Sequence, residues 1–382
     1  MTIATTTLTF AIILFVLVII IYEIARIARR HIFPVKAVKH GLNRHGHNPI
    51  ISPLPYREWE LGGTFNPAAI RDDDGTVHLL YRAIGDDGLS RIGYASSKDG
   101  IHFDDRSSYP VYAPQPNGFG LPDIDTMKTP AEYNHAIYTS GGGWGGTEDP
   151  RAVRIGDKVY MTYVAFEGWS SVRIGLTSIF MKDFREQRWK WKRPALISAP
   201  GTVNKNWVIF PEKIKGKFAI LHSISPNVLV DYVDSLDRFF GGEYIQSKPP
   251  KGGRPEYWDN WVRGAGPPPI KTELGWLLLY HAMDKADPNK YKLGAMILDS
   301  HDPTRVLYRS PQPILEPDMP YENDGKPGVV YASGAVIIGN NLLVYYGGGD
   351  RHVCVAETPI KQLLQWLQTY GSAPVPQLKA AQ

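Results

Sequence analysis

Glu148 and Asp149 stand side by side, directly before Pro150 and Arg151 and at the head of an alternating apolar run. Two adjacent carboxylates leading a strand are candidates for acid–base chemistry, the plain alternative being a cap on the strand. Other ionisable groups recur at the ends of similar runs: Arg82 after LLY, His222 after FAIL, His281 after LLLY, and Asp350 after three glycines. Singly, each has an ordinary role, as a strand-end ion pair, a core histidine or a turn residue. Acids, bases and aromatics gathered at one mouth would instead form a site for a sugar or a small anion.

Five repeats would position these groups. A turn, an alternating apolar run and a closing aromatic or histidine recur as DGTVHLLYRA (74–83), GDKVYMTYVA (156–165), KGKFAILHSI (215–224), ELGWLLLYHA (273–282) and GNNLLVYYGG (339–348). Each copy opens on a glycine, Gly75, Gly156, Gly216, Gly275 and Gly339, and the last four lie about 60 residues apart, a length suited to one small sheet with its loops. A strand-like run precedes and follows every copy. The expected fold is therefore all-β, a five-bladed β-propeller over residues 60–370, with a short C-terminal helix from Pro359 to Leu367 and a loose tail at 371–382. In such a ring, the starts of the first strands and the ends of the second strands face one end of the axis. That register sends Asn66, Arg82, Asp149, Glu212, Lys213, His222, His281 and Asp350 to a common mouth.

The net charge of +4 is local. Residues 1–45 hold six basic side chains against Glu23, a balance of +5, so the remainder sums to −1 and offers no nucleic-acid footprint. Between Met1 and Tyr22 there is no charged residue, and Leu8–Tyr22 is almost continuously apolar. This pattern predicts an N-terminal transmembrane helix within residues 1–30, a juxtamembrane linker at 31–59, and a catalytic body facing the cytoplasm by the positive-inside rule. The single cysteine, Cys354, excludes an internal disulfide framework and a cysteine-rich zinc site. No metal constellation is evident.

The strings FNPAAI (65–70), YRA (81–83), SRIGYASSKDG (90–100), TEDPR (147–151), FPEKI (210–214), GWLLLYH (275–281), LDSHDP (298–303), PILEP (313–317) and YYGGGD (345–350) occur in this order. Together they resemble glycoside hydrolase family 130, the β-mannoside phosphorylases and β-1,2-mannosidases. The resemblance implies single-displacement, inverting chemistry at a β-mannosidic bond, with Asp149 as the acid, acting in the phosphorylases through a substrate hydroxyl. It carries sugar binding to Asn66, Arg82 and Asp350. Glu148, Arg151 and His281 are further candidate substrate-binding residues.

An inverting phosphorylase needs cations for phosphate, whereas a hydrolase needs a second carboxylate about 6.5–9.5 Å from the acid to activate water. Arg173, Lys213 and His222 are the candidate phosphate ligands, with inorganic phosphate a co-substrate and no cofactor. Glu212 is the candidate base of a hydrolase. Ser223 stands where many family phosphorylases have arginine, which favours the hydrolase. Three readings follow: a β-mannoside phosphorylase acting on an oligosaccharide and phosphate, an inverting β-1,2-mannosidase, and a non-catalytic glycan-binding propeller. The acid at Asp149 speaks against the last.

Overall fold

Alternating apolar residues separated by turn glycines give the described chain its many short, mainly antiparallel strands. The computed structural model describes residues 41–113, 140–167 and 172–371. A two-residue strand, β1 (Asn43–Arg44), comes first. The first repeat gives β2 (Gly63–Arg71), β3 (Val77–Ile84), β4 (Leu89–Ser97) and β5 (Asp105–Arg106). The second gives β6 (Gly145–Ile155), β7 (Lys158–Glu167) and β8 (Val172–Phe180), then helix α1 (Met181–Arg185) and β9 (Ala195–Leu196). The third is slighter, with β10 (Val208–Ile209), β11 (Phe218–Ser223) and β12 (Leu229–Val233). The fourth comprises β13 (Trp261–Ala265), β14 (Ile270–Thr272), β15 (Gly275–Asp284), β16 (Asp287–Leu298) and β17 (Val306–Arg309). The fifth comprises β18 (Val330–Ile338), β19 (Asn341–Gly348) and β20 (His352–Pro359), and helix α2 (Ile360–Tyr370) follows it.

The repeat survives because the same side chains meet in successive groups. The glycines that mark the five copies all have positive φ, between 58° and 129°, which only glycine adopts without strain. In three groups a tyrosine of the second strand lies flat over a glycine of the third: Tyr81 on Gly93, Tyr163 on Gly175 and Tyr280 on Gly294. A Cβ at those glycines would stand 2.3–2.6 Å from the ring.

Five apolar clusters lie between consecutive groups. Leu80 and Tyr94 meet Val159 and Met161 between the first two, and Ile174 meets Trp207 and Ile220 between the second and third. Phe210 and Leu221 meet Leu278 and Met296, and Leu279 and Leu293 meet Val344, Tyr346 and Leu367 of α2. The fifth cluster joins the last group to the first, through Leu343 and Tyr345 against Leu79 and Tyr81. Each such side chain contributes about 1.5–3 kcal/mol by leaving water.

The expected fold is corrected in three respects. The described strands form four sheets, of four, three, five and eight strands, none closed on itself, rather than five separate blades. The first two groups are one sheet because Leu89 and Ser90 of β4 pair in parallel with Gly145 and Gly146 of β6. No helix among the described residues is long and apolar enough to cross a membrane. The segment 1–30 expected to do so lies outside the described residues, so the expected membrane anchor, and the cytoplasm-facing placement derived from it, find no support in the described fold. Residues 41–59, expected in a linker, belong to the body: Leu42 and Ile51 are buried, β1 pairs with β20, and Arg44 binds the buried Glu322 at 2.7 Å. The tail from residue 372 also lies outside the described residues.

Candidate active site

A bulge interrupts the innermost strand in four of the five groups: between Phe65 and Ala68, Glu148 and Arg151, Val262 and Gly264, and Ala332 and Gly334. A bulge breaks the pleat and re-aims one side chain. At two of them the re-aimed residue is Asn66 or Asp149, each with φ 48° and each followed by proline. Asn206 (φ 66°) and Asp350 (φ 50°) share the left-handed conformation. Such backbone costs about 1–3 kcal/mol per residue and clusters where function requires it.

These residues converge. Asn66 Nδ2 donates to Asp149 Oδ1 at 2.8 Å, and Arg82 Nη1 donates to the same oxygen at 3.2 Å. Arg82 Nη2 donates to Glu148 Oε1 at 2.8 Å and to the Ser140 carbonyl at 2.6 Å, while its Nε donates to Ser90 Oγ. Arg82 is buried, with its guanidinium over the Phe65 ring. The carboxylates Glu148, Asp149 and Asp350 hold its pKa up against the burial that would lower it. Burial pushes the Asp149 carboxyl up, but the charges of Arg82, Lys205 and Arg151 and the Asn66 amide outweigh it and leave its pKa below the ordinary value. Lys205 Nζ donates to Ser140 Oγ at 2.9 Å and sits 3.4 Å from Glu148 Oε2. With its side chain 25% exposed, Lys205 is the accessible cation of this cluster, whereas Arg82 and Arg151 are enclosed.

Beneath Asp149, Arg151 ties the inner strands together. Its Nη1 donates to the Asp149 carbonyl and its Nε to the Gly266 carbonyl, both at 2.9 Å. Its Nη2 donates to Asn206 Oδ1 at 2.9 Å and to Tyr331 Oη at 2.8 Å. The Tyr331 hydroxyl in turn donates to Asn206 Oδ1. His281 stacks on Tyr331 with centroids 4.1 Å apart, and its Nε2 accepts from the Ala332 N–H. Burial and the Arg151 charge push His281 down to about 3, so the ring is neutral.

The sequence-predicted residues therefore divide. Asn66, Arg82, Glu148, Asp149 and Arg151 share one hydrogen-bond network, and His281 and Asp350 adjoin it. Glu212 and Lys213 do not join it. Both are exposed, Glu212 ion-paired with Lys271 and Lys213 lying over Phe218. His222 is buried between Ser247 Oγ (2.8 Å) and Asp231 (2.9 Å). Arg173 donates to the Ser198 and Leu196 carbonyls, on the far side of β7 from β6.

A family profile described as β-1,4-mannooligosaccharide phosphorylase matches residues 125–369. A 1,2-β-oligomannan phosphorylase of Thermoanaerobacter sp. is 35% identical, over 84% of this chain and 98% of its own length. The chain belongs to glycoside hydrolase family 130. Among solved structures, the β-1,2-mannobiose phosphorylase of Listeria innocua in complex with β-1,2-mannobiose superposes with a TM-score of 0.64, at 26% identity, over 86% of this chain and 99% of that one. Another, from work on family members that are glycoside hydrolases targeting β-1,2-mannosidic linkages, has a TM-score of 0.64 at 26% identity, covering 84% and 94%. In this family member the matched region holds Asp149, Lys205, Asn206, His281 and Asp350, and the fold brings Asn66 and Arg82 to it from outside.

Lys205 and Asn206 were not foreseen. The signal was present, since Asn206-Trp207-Val208-Ile209 has the order of Asn66-Pro67-Ala68-Ala69, a polar residue leading an inner strand. The proline of FPEKI drew the register several residues too far along, to the turn closed by the bridge between Ile214 and Lys217.

Proposed function

We propose that the chain is an inverting phosphorylase of β-mannosides, with β-1,2-linked mannooligosaccharides as substrates and inorganic phosphate as co-substrate. The observation that carries this reading is the buried Asp149 carboxyl held by Asn66 and Arg82, with the partly exposed Lys205 beside it. Asn66 and Asp350 hold the mannosyl ring, Arg82 holds the Asp149 and Glu148 carboxylates in place beside it, and Lys205 attracts phosphate to the open side of the cluster. A phosphate oxygen attacks the anomeric carbon as the glycosidic bond breaks, the departing oxygen takes a proton, and the β-mannoside yields α-mannose 1-phosphate. In the free site Asp149 is ionised. Phosphate brings both a proton and negative charge, and by offsetting the cations it raises the proton affinity of Asp149 for transfer through a substrate hydroxyl. The linkage follows the names of the more identical relatives.

Glu212, exposed and engaged by Lys271, is poorly placed to serve as a hydrolytic base. The test is incubation of the full chain with β-1,2-mannobiose, with and without phosphate. Phosphate-dependent formation of mannose 1-phosphate is expected. Free mannose at full rate without phosphate would replace this reading by the hydrolase.

A further inference from the structure

A cavity of about 380 Å³ lies where the second group meets the third, bounded by Arg173, Leu196, Pro200, Phe240 and Tyr244. Its location relative to Asp149 follows from register. Thr147 of β6 pairs with Ala165 of β7, which pairs with Arg173 of β8. Two strand spacings put Arg173 about 10 Å from the strand that carries the acid. The residues of the cavity are separate from those of the acid cluster, yet one loop serves both. It leaves β9 at Leu196, borders the cavity as far as Pro200, and ends by delivering Lys205 and Asn206 to the Asp149 network.

The cavity has the makings of a sugar subsite. Arg173 is half-buried and oriented by the Ser198 carbonyl, 2.8 Å from its Nε, and it has no carboxylate partner among the described residues. Its Nη1 takes part in none of these bonds. Tyr244, 48% exposed, presents an aromatic surface beside it, and Phe240 adds a second. A fixed guanidinium beside the exposed Tyr244 ring, with the half-buried Phe240 as a wall, suits a pyranose, which offers hydroxyls at its edge and C–H groups on its face.

We infer that this cavity is a distal subsite for an outer residue of a mannooligosaccharide whose cleaved bond lies at Asp149, so that Arg173 reads chain length rather than phosphate. The inference rests on the proposed phosphorylase reading for its substrate. The experiment compares kcat/KM for β-1,2-mannotetraose with that for β-1,2-mannobiose in the full chain, in Tyr244→Ala and in Arg173→Met. The tetraose-to-biose ratio should fall about 10-fold in each variant. An unchanged ratio overturns the inference, as does a raised KM for phosphate in Arg173→Met with the ratio unaltered. Calorimetric binding of mannotetraose separates this from failure of the phosphorylase reading, because it needs no turnover. Without phosphate, both variants should bind the tetraose about 10-fold more weakly than the unaltered chain, and equal affinity in all three proteins refutes the subsite.

Discussion

Asp149→Asn removes one exchangeable proton and one charge while preserving shape. Asn retains an oxygen to accept from Asn66 Nδ2 and Arg82 Nη1, now at 2.8 and 3.2 Å. Arg82 also keeps Glu148 at 2.8 Å, so the buried guanidinium is not left without a counter-charge. General acid catalysis contributes about 10²–10⁴-fold, equivalent to roughly 3–5 kcal/mol of barrier, and kcat on an unactivated β-mannoside should fall by that factor. The assay is mannose 1-phosphate release at saturating phosphate, with thermal melting recorded alongside. A carboxyl whose folded pKa is depressed contributes stability above its unfolded pKa and loses it as pH falls through the folded value. The melting difference between the two proteins should therefore be fully present at neutral pH and shrink in strong acid. Near-normal turnover of the variant would refute the role of Asp149. A melting difference that grew on acidification would refute the account of its charge.

Lys205→Met should raise KM for phosphate about 10- to 100-fold, the value of one charge-assisted bond, and affect KM for the mannoside far less, as steady-state kinetics would show. Because Lys205 helps to depress Asp149, its loss should also shift the basic limb of the kcat/KM profile to higher pH. Gly347→Ala places a Cβ 2.2 Å from Asn66 Oδ1, so it should displace Asn66 and lower kcat more than 10-fold, read against an unchanged far-ultraviolet spectrum. His281 stays neutral down to about pH 3, whereas the unfolded chain takes up that proton near 6.5. Stability should decline as pH falls through this window, and His281→Gln should flatten that part of a melting-temperature curve.

The spacing of glycines and closing aromatics was legible because it repeats, and it repeats because each turn and each tyrosine–glycine contact imposes the same constraint. The acid cluster was legible where a short motif marks the bulge, as at Asn66-Pro67 and Asp149-Pro150. The third group hid its contribution because β10 is only two residues long, too short to alternate, and its leading Asn206 lacks a following proline. Hydrogen bonding between the first two groups was illegible too. It rests on two backbone pairs after a long insertion, and backbone pairing leaves no side-chain signature. The apolar stretch near the N-terminus, which satisfies the length rule for a membrane helix, lies outside the described residues, and no helix among those residues is long and apolar enough to cross a membrane.

The pairing of β1 with β20 has a bearing on how the body is made. Arg44 is among the earliest described residues to be synthesised, while its partners Glu322 and β20 are among the last. During translation four groups can assemble on one another before the fifth exists. Over that interval the first group exposes the face that Leu343 and Tyr345 later cover. A ribosome-bound chain stalled before residue 322 should thus be held by chaperones or cut by proteases at that uncovered face. Strands β18 to β20 complete the protection of the first group as well as their own sheet.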